Sequence, residues 1–139
     1  MRPPVGVGGF TRLVGRRVLM IEDDTVIASM YQLRLEADGW QVHVATTGED
    51  GVVDATRLLP DAVVLDMMLP GIDGVEVLRR LRATPETQNL AVVVLSNSAA
   101  LPASAEEARR LGIVEWLVKS RVSPTQLMRR LDEVVPAST

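Results

Sequence analysis

The sequence predicts an α/β fold, a doubly wound parallel sheet of five strands alternating with five helices. Three observations carry that expectation. Short runs of strand length at residues 18–21, 62–65 and 91–95 are uniformly apolar, as strands covered on both faces are. Stretches of helical spacing fill the intervals between them. Each run also ends on a group with chemistry: Glu22-Asp23-Asp24, Asp66, Ser96 and, after Trp116-Leu117-Val118, Lys119. In an open parallel sheet the C-terminal strand ends share one edge, and ligands bind there.

Taken in order, residues 1–16 are rich in glycine and proline and read as a loose arm, too poor in apolar side chains to offset its ordering entropy. The body begins at Arg17. After the first strand, Val26, Ile27, Met30, Leu33 and Ala37 recur at helical spacing, with Asp24 or Thr25 as N-cap and Gly39 as left-handed C-terminal cap. Residues 41–45 alternate and form a second strand. Thr47-Gly48 opens a helix carrying Val52, Val53, Ala55, Leu58 and Leu59, which Pro60 stops. The third strand runs into Asp66 and a loop loosened by Gly71 and Gly74. Val75, Val77, Leu78 and Leu81 mark a helix to about Ala83, and the fourth strand covers residues 91–96. Pro102 starts a helix with Ala105, Ala108 and Leu111 inward and Gly112 as its stop. A fifth strand over about 113–118 precedes a last helix, opened by Pro124, with Leu127, Leu131, Val134 and Val135 facing in.

Residues 17–136 therefore form one domain, and 137–139 a short tail. The strand order 2-1-3-4-5 is carried over from known doubly wound five-stranded sheets; it places strands 1 and 3 where the winding reverses. At 139 residues with 47% hydrophobic content, the chain can bury a single core. The absence of cysteine excludes disulfides, thiolate metal sites and thiol nucleophiles. A net charge of −3 argues against nucleic-acid binding, and the longest apolar run, residues 90–95, is far short of a membrane span. A soluble, cytoplasmic protein is expected.

At the switch point Glu22 and Asp23 come beside Asp66. Three carboxylates at close range repel one another unless a cation joins them. Mg²⁺ suits them, since it takes oxygen ligands, one or two carboxylates and a phosphate. Lys119 and Ser96 supply an ammonium and a hydroxyl for phosphoryl oxygens, and an Asp carboxylate can accept a phosphoryl group as an acyl phosphate.

In its motifs the chain resembles response-regulator receiver domains over roughly residues 17–136. The motifs are Met20-Ile21-Glu22-Asp23-Asp24, the run from Leu65 and Asp66 to Gly74, Val94-Leu95-Ser96 and Leu117-Val118-Lys119. The resemblance implies a flavodoxin-like fold with Asp66 as phosphoacceptor. It implies Mg²⁺ (or Mn²⁺) held by Glu22, Asp23, Asp66 and the backbone carbonyl of Met68. Ser96 would be the switch hydroxyl, Lys119 the phosphate-binding lysine and Trp116 the aromatic switch residue, with Asp24 outside the metal's ligand set. A sensor histidine kinase or histidine phosphotransfer protein would be the donor and an effector protein the target; homodimerisation is left open. Such a protein is a signalling domain and not an enzyme beyond its own phosphotransfer and slow autodephosphorylation.

Two positions depart from the family. Ser120 follows the lysine where proline is usual, leaving open a trans bond or a cis bond costing about 2.5–4 kcal/mol. Asn97 follows the switch hydroxyl where a small residue is usual. With Met68 and Ser98, these two are candidate rate modulators. They also sustain an alternative, a pseudo-receiver serving as a phosphorylation-independent interaction module. His43 belongs to the second strand, away from the site. Arg79, Arg80, Arg82, Arg109, Arg110, Arg129 and Arg130 fall on outer helical faces, where solvation is the default.

Overall fold

The computed structural model describes residues 15–97 and 102–137. Among these, five strands form one parallel sheet: β1 (Arg17–Ile21), β2 (Gln41–Ala45), β3 (Ala62–Leu65), β4 (Ala91–Ser96) and β5 (Glu115–Val118). Their order is β2-β1-β3-β4-β5, as expected. The helices are α1 (Thr25–Ala37), α2 (Gly48–Leu58), α3 (Gly74–Ala83), α4 (Pro102–Leu111) and α5 (Pro124–Val134), and a 3₁₀ turn, Lys119–Arg121, follows β5. Residues 1–14 of the expected arm (1–16) lie outside those described, as do Ser98 and residues 138–139 of the tail.

Because strand side chains alternate, each strand feeds two cores. Leu19 and Ile21 of β1, with Val63 and Leu65 of β3, pack against Ala55, Val77, Leu78, Leu81 and Ala108 of α2, α3 and α4. Val18, Met20 and Val64 instead face Ala28, Tyr31 and Leu35 of α1 and Leu127, Met128 and Leu131 of α5. Uniformly apolar strands are the consequence. Helix starts follow local chemistry: Asp24 accepts from the amides of Val26 and Ile27, and Ser123 with Gln126 closes a capping box on α5. Gly39 has φ +96°, the left-handed stop foreseen for α1.

Four local expectations are corrected. The buried face of α1 is Ala28, Tyr31 and Leu35, while Val26, Met30 and Leu33 are exposed. Two apolar stripes compete on this helix, and Tyr31 settles the choice by donating its hydroxyl to the Val122 carbonyl at 3.0 Å. Leu59 does not belong to the core; it is exposed and sits at φ 48° as the cap of α2. The body starts before Arg17, since Arg16 stacks on Trp40 at 4.4 Å and pairs with Asp132 at 2.9 Å. Arg82 is not on an outer face: it is half-buried and bonds backbone carbonyls.

Candidate functional site

The site is built by extending the sheet one residue past the strand ends. Beyond the Ile21–Leu65 register pair, the Asp66 amide donates to the Ile21 carbonyl at 3.0 Å. The Glu22 amide likewise donates to the Ala45 carbonyl at 2.9 Å. These bonds hold Glu22 and Asp66 side by side, both buried to 3% exposure, with Asp23 exposed at the rim. One carboxylate oxygen from each of Glu22, Asp23 and Asp66 lies within 4.8 Å of the others. Asp24 is not of this group; it caps α1, and its amide donates to Glu22 Oε2 at 3.0 Å.

Lys119 reaches the cluster from the end of β5. Its ammonium pairs closely with Glu22 Oε1 and lies 3.2 Å from Asp66 Oδ2. Burial pushes the Glu22 carboxyl above its usual range, and the Lys119 contact only partly offsets this. Burial would lower the Lys119 ammonium, but Glu22 and Asp66 together hold it above its ordinary value. The Lys119–Glu22 contact was not foreseen. The signal for it is general: two buried acids require a countercharge.

The loop after β3 is fixed against Asp66 by the Met68 amide, which donates to Asp66 Oδ1 at 3.0 Å. Met68 itself is 70% exposed, and this amide hydrogen bond keeps its backbone beside Asp66. Gly74 permits the loop's close return, because a Cβ there would lie 2.7 Å from Met67 Cα. Ser96 is buried at the end of β4, opposite Val118, with Asn97 exposed just beyond. Ser96 and Asp66 share no hydrogen bond. Trp116 pairs across β4 with Val94 and packs half-buried against the cluster that holds Ala108, its indole N–H buried without an acceptor. No described peptide is cis, so the Lys119–Ser120 bond is trans. Lys119 reaches both acids without the isomer that proline would favour.

Three hard oxygen donors, two of them buried, meet the chemistry of a divalent cation, and Lys119 can balance only one of three negative charges.

Fold and site together define the class: a five-stranded parallel α/β domain with an acidic cluster and a part-buried lysine at the C-terminal edge of its sheet. The chain belongs to the response regulator receiver domain family, whose profile matches residues 18–132. It is 32% identical over 120 residues to the phosphate regulon transcriptional regulatory protein PhoB of Rhizobium meliloti, covering 83% of this chain and 50% of that one. It is 48% identical over 69 residues to the transcriptional regulatory protein AfsQ1 of Streptomyces coelicolor, covering 50% of this chain and 31% of that one. The chain thus spans half or less of these relatives' lengths. Among solved structures, the receiver domain of the sensor histidine kinase PA1611 from Pseudomonas aeruginosa, with magnesium in its active-site cleft, is similar at TM-score 0.76 and 27% identity, covering 86% of this chain and 97% of that one. The chemotaxis protein CheY4 of Vibrio cholerae shares the fold at TM-score 0.78 and 24% identity, over 86% of this chain and 98% of that one. The chain is a receiver domain of the two-component signalling type, a signalling family and not a catalytic enzyme family.

Proposed function

We propose that Asp66 accepts the phosphoryl group. A carboxylate oxygen of Asp66 forms the new P–O bond while the P–N bond of a phosphohistidine breaks, its electron pair returning to the imidazole nitrogen. The donor would be a sensor histidine kinase or a histidine phosphotransfer protein, and an effector protein reads the result, in the cytoplasm. Glu22, Asp23, Asp66 and the Met68 carbonyl would hold Mg²⁺ (or Mn²⁺), which supplies charge neutralisation and orientation of the phosphoryl oxygens. Lys119 then turns from Glu22 toward the phosphoryl group, for which its buried ammonium is a point charge. Ser96 donates its hydroxyl to another phosphoryl oxygen and is drawn inward, and Trp116 follows into the space it leaves. Met68, Asn97, Ser98 and Ser120 tune the rates of transfer and of slow autodephosphorylation.

The observation that carries this reading is the Glu22–Asp23–Asp66 cluster with Lys119 upon it. Acetyl phosphate with Mg²⁺ is expected to add one phosphoryl group, seen by intact mass, and Asp66→Asn to abolish it. Labelling of that variant at the wild-type level would sink the assignment. An unlabelled wild type that still bound a partner would leave the pseudo-receiver reading, which the reach of Lys119 to Asp66 counts against.

A further inference from the structure

Arg82 is the one described arginine that spends its guanidinium on backbone carbonyls of two separate segments. Nε donates to the Leu111 carbonyl at 2.8 Å and Nη2 to the Gly112 carbonyl at 2.6 Å. Nη1 donates to the Gln88 carbonyl at 3.0 Å and, more weakly, to that of Thr87 at 3.4 Å. No carboxylate pairs with it among the described residues. Leu111 and Gly112 end α4, where helix carbonyls lack intrahelical partners and the helix dipole is negative, so a cation is doubly suited there. Gly112, at φ +88°, turns the chain so that its carbonyl reaches the guanidinium. Arg82 itself stands on α3, which the fully buried Val77, Leu78 and Leu81 fix in the core. Thr87, also fully buried, locks the loop before β4 by donating to the Leu81 carbonyl at 2.7 Å.

The first turns of α4 are held differently. Ahead of the C-terminal end, Glu107 pairs with Arg79 at 2.9 Å and Glu106 with Arg110 at 3.1 Å, all between groups at least one-third exposed. An exposed ion pair contributes little, whereas bonds from a charged donor to otherwise unpaired carbonyls contribute more. Ser96, the residue a phosphoryl group on Asp66 would pull, ends β4, the strand that precedes α4 in the chain.

We propose that Arg82 is a positioning residue that pins the C-terminal end of α4, so that phosphorylation swings its first turns about a fixed end. This rests on the receiver reading above. It makes the partner-facing change graded along α4, largest at its first turn and absent at Gly112.

Hydrogen exchange read peptide by peptide, with Mg²⁺ and with or without beryllofluoride, tests this. In the wild type, beryllofluoride should change exchange over residues 103–107 and leave 109–112 unchanged. Arg82→Met keeps the stem and removes the donors; exchange over 109–112 should rise roughly tenfold, and the beryllofluoride response should spread to those residues. Arg82→Lys, which keeps the charge and part of the bonding, should restore the wild-type pattern in part. Should the Met variant fail to fold, Arg82→Gln replaces it with the same expectation. A beryllofluoride response over 109–112 in the wild type overturns the proposal. So does a variant whose response stays confined to 103–107, because Arg82 would then serve stability alone. If Asp66 takes no label from acetyl phosphate and no peptide responds, the receiver reading falls and this proposal with it. A labelled Asp66 with a response reaching Gly112 overturns the pivot alone.

Discussion

Lys119 occupies two partners at once, and this shapes how the site behaves with no phosphoryl group present. Pairing with Glu22 and Asp66 raises its ammonium above the ordinary lysine range. A cation whose pKa is raised on folding adds stability that is complete below its unfolded value and is lost as pH climbs through the folded one. Lys119→Met removes that stability at neutral pH and leaves two buried acids without their countercharge. In metal-free buffer the melting-temperature gap between wild type and Lys119→Met is therefore expected to be open at neutral pH and to close above roughly pH 10.4, the ordinary lysine value. A gap that stays constant through that range would show that Lys119 contributes by packing and not by charge. Asp66, Glu22, Asp23, Ser96 and Lys119 were all named from the sequence, because motif spacing reports which residues end strands. What spacing does not report is pairing in the resting state, which depends on where the side chains lie once the strands are adjacent.

At the level of elements, Leu59 and Gly74 show the backbone setting terms. Leu59 caps α2 at φ 48°, ψ 62°, a conformation that costs an L-residue with a Cβ roughly 1–2 kcal/mol. Its side chain is exposed, so Leu59→Gly loses little packing. After the extra freedom that glycine has in the unfolded chain is subtracted, the variant should gain roughly 0.5 kcal/mol or more in urea unfolding. A loss of stability would mean that the Leu59 side chain packs better than its exposure implies. Gly74→Ala should act the other way. Its Cβ would press on Met67 Sδ at 2.5 Å and on backbone atoms of Met67 and Asp66, displacing the loop that holds the Met68 carbonyl. A cost of about 1–3 kcal/mol is expected, with slower labelling of Asp66 by acetyl phosphate. Unchanged stability together with unchanged labelling would contradict that geometry. The stripe on α1 belongs at this scale too. Periodicity pointed to Val26, Ile27, Met30, Leu33 and Ala37, whereas docking against α5 buries Ala28, Tyr31 and Leu35.

For the whole molecule, the acid cluster joins ligand binding to global stability. Glu22 and Asp66 extend β1 and β3, neighbouring strands of the sheet, so unfolding disperses any ion they hold. Under the proposed ligand set, Mg²⁺ at a hundred times its dissociation constant should stabilise the fold by about 2.7 kcal/mol through mass action. Asp66→Asn should lose most of that increment while the ion-free melting temperature moves separately. A wild type whose melting temperature does not respond to Mg²⁺ would count against the ligand set. The direction of the effect is the useful part, because placing three carboxylates together without a cation opposes folding, and relief of that repulsion appears as stability.

The sequence by itself determined the alternation of strands and helices, the cap of the first helix at Asp24 or Thr25, its stop at Gly39, and the residues that would stand at the strand ends. These are local properties: burial on both faces makes a strand uniformly apolar, and a cap is chosen by neighbours a few residues away. Strand order was borrowed, because uniformly apolar strands carry no mark of which neighbour they prefer. Only the tertiary structure decided which stripe of α1 is buried, that Arg16 belongs to the body, that Lys119 rests on Glu22, and that Arg82 binds the end of α4. Each of these is a contact between residues far apart in the chain. Its partner is chosen by the packing of whole elements, which no local pattern of residues records.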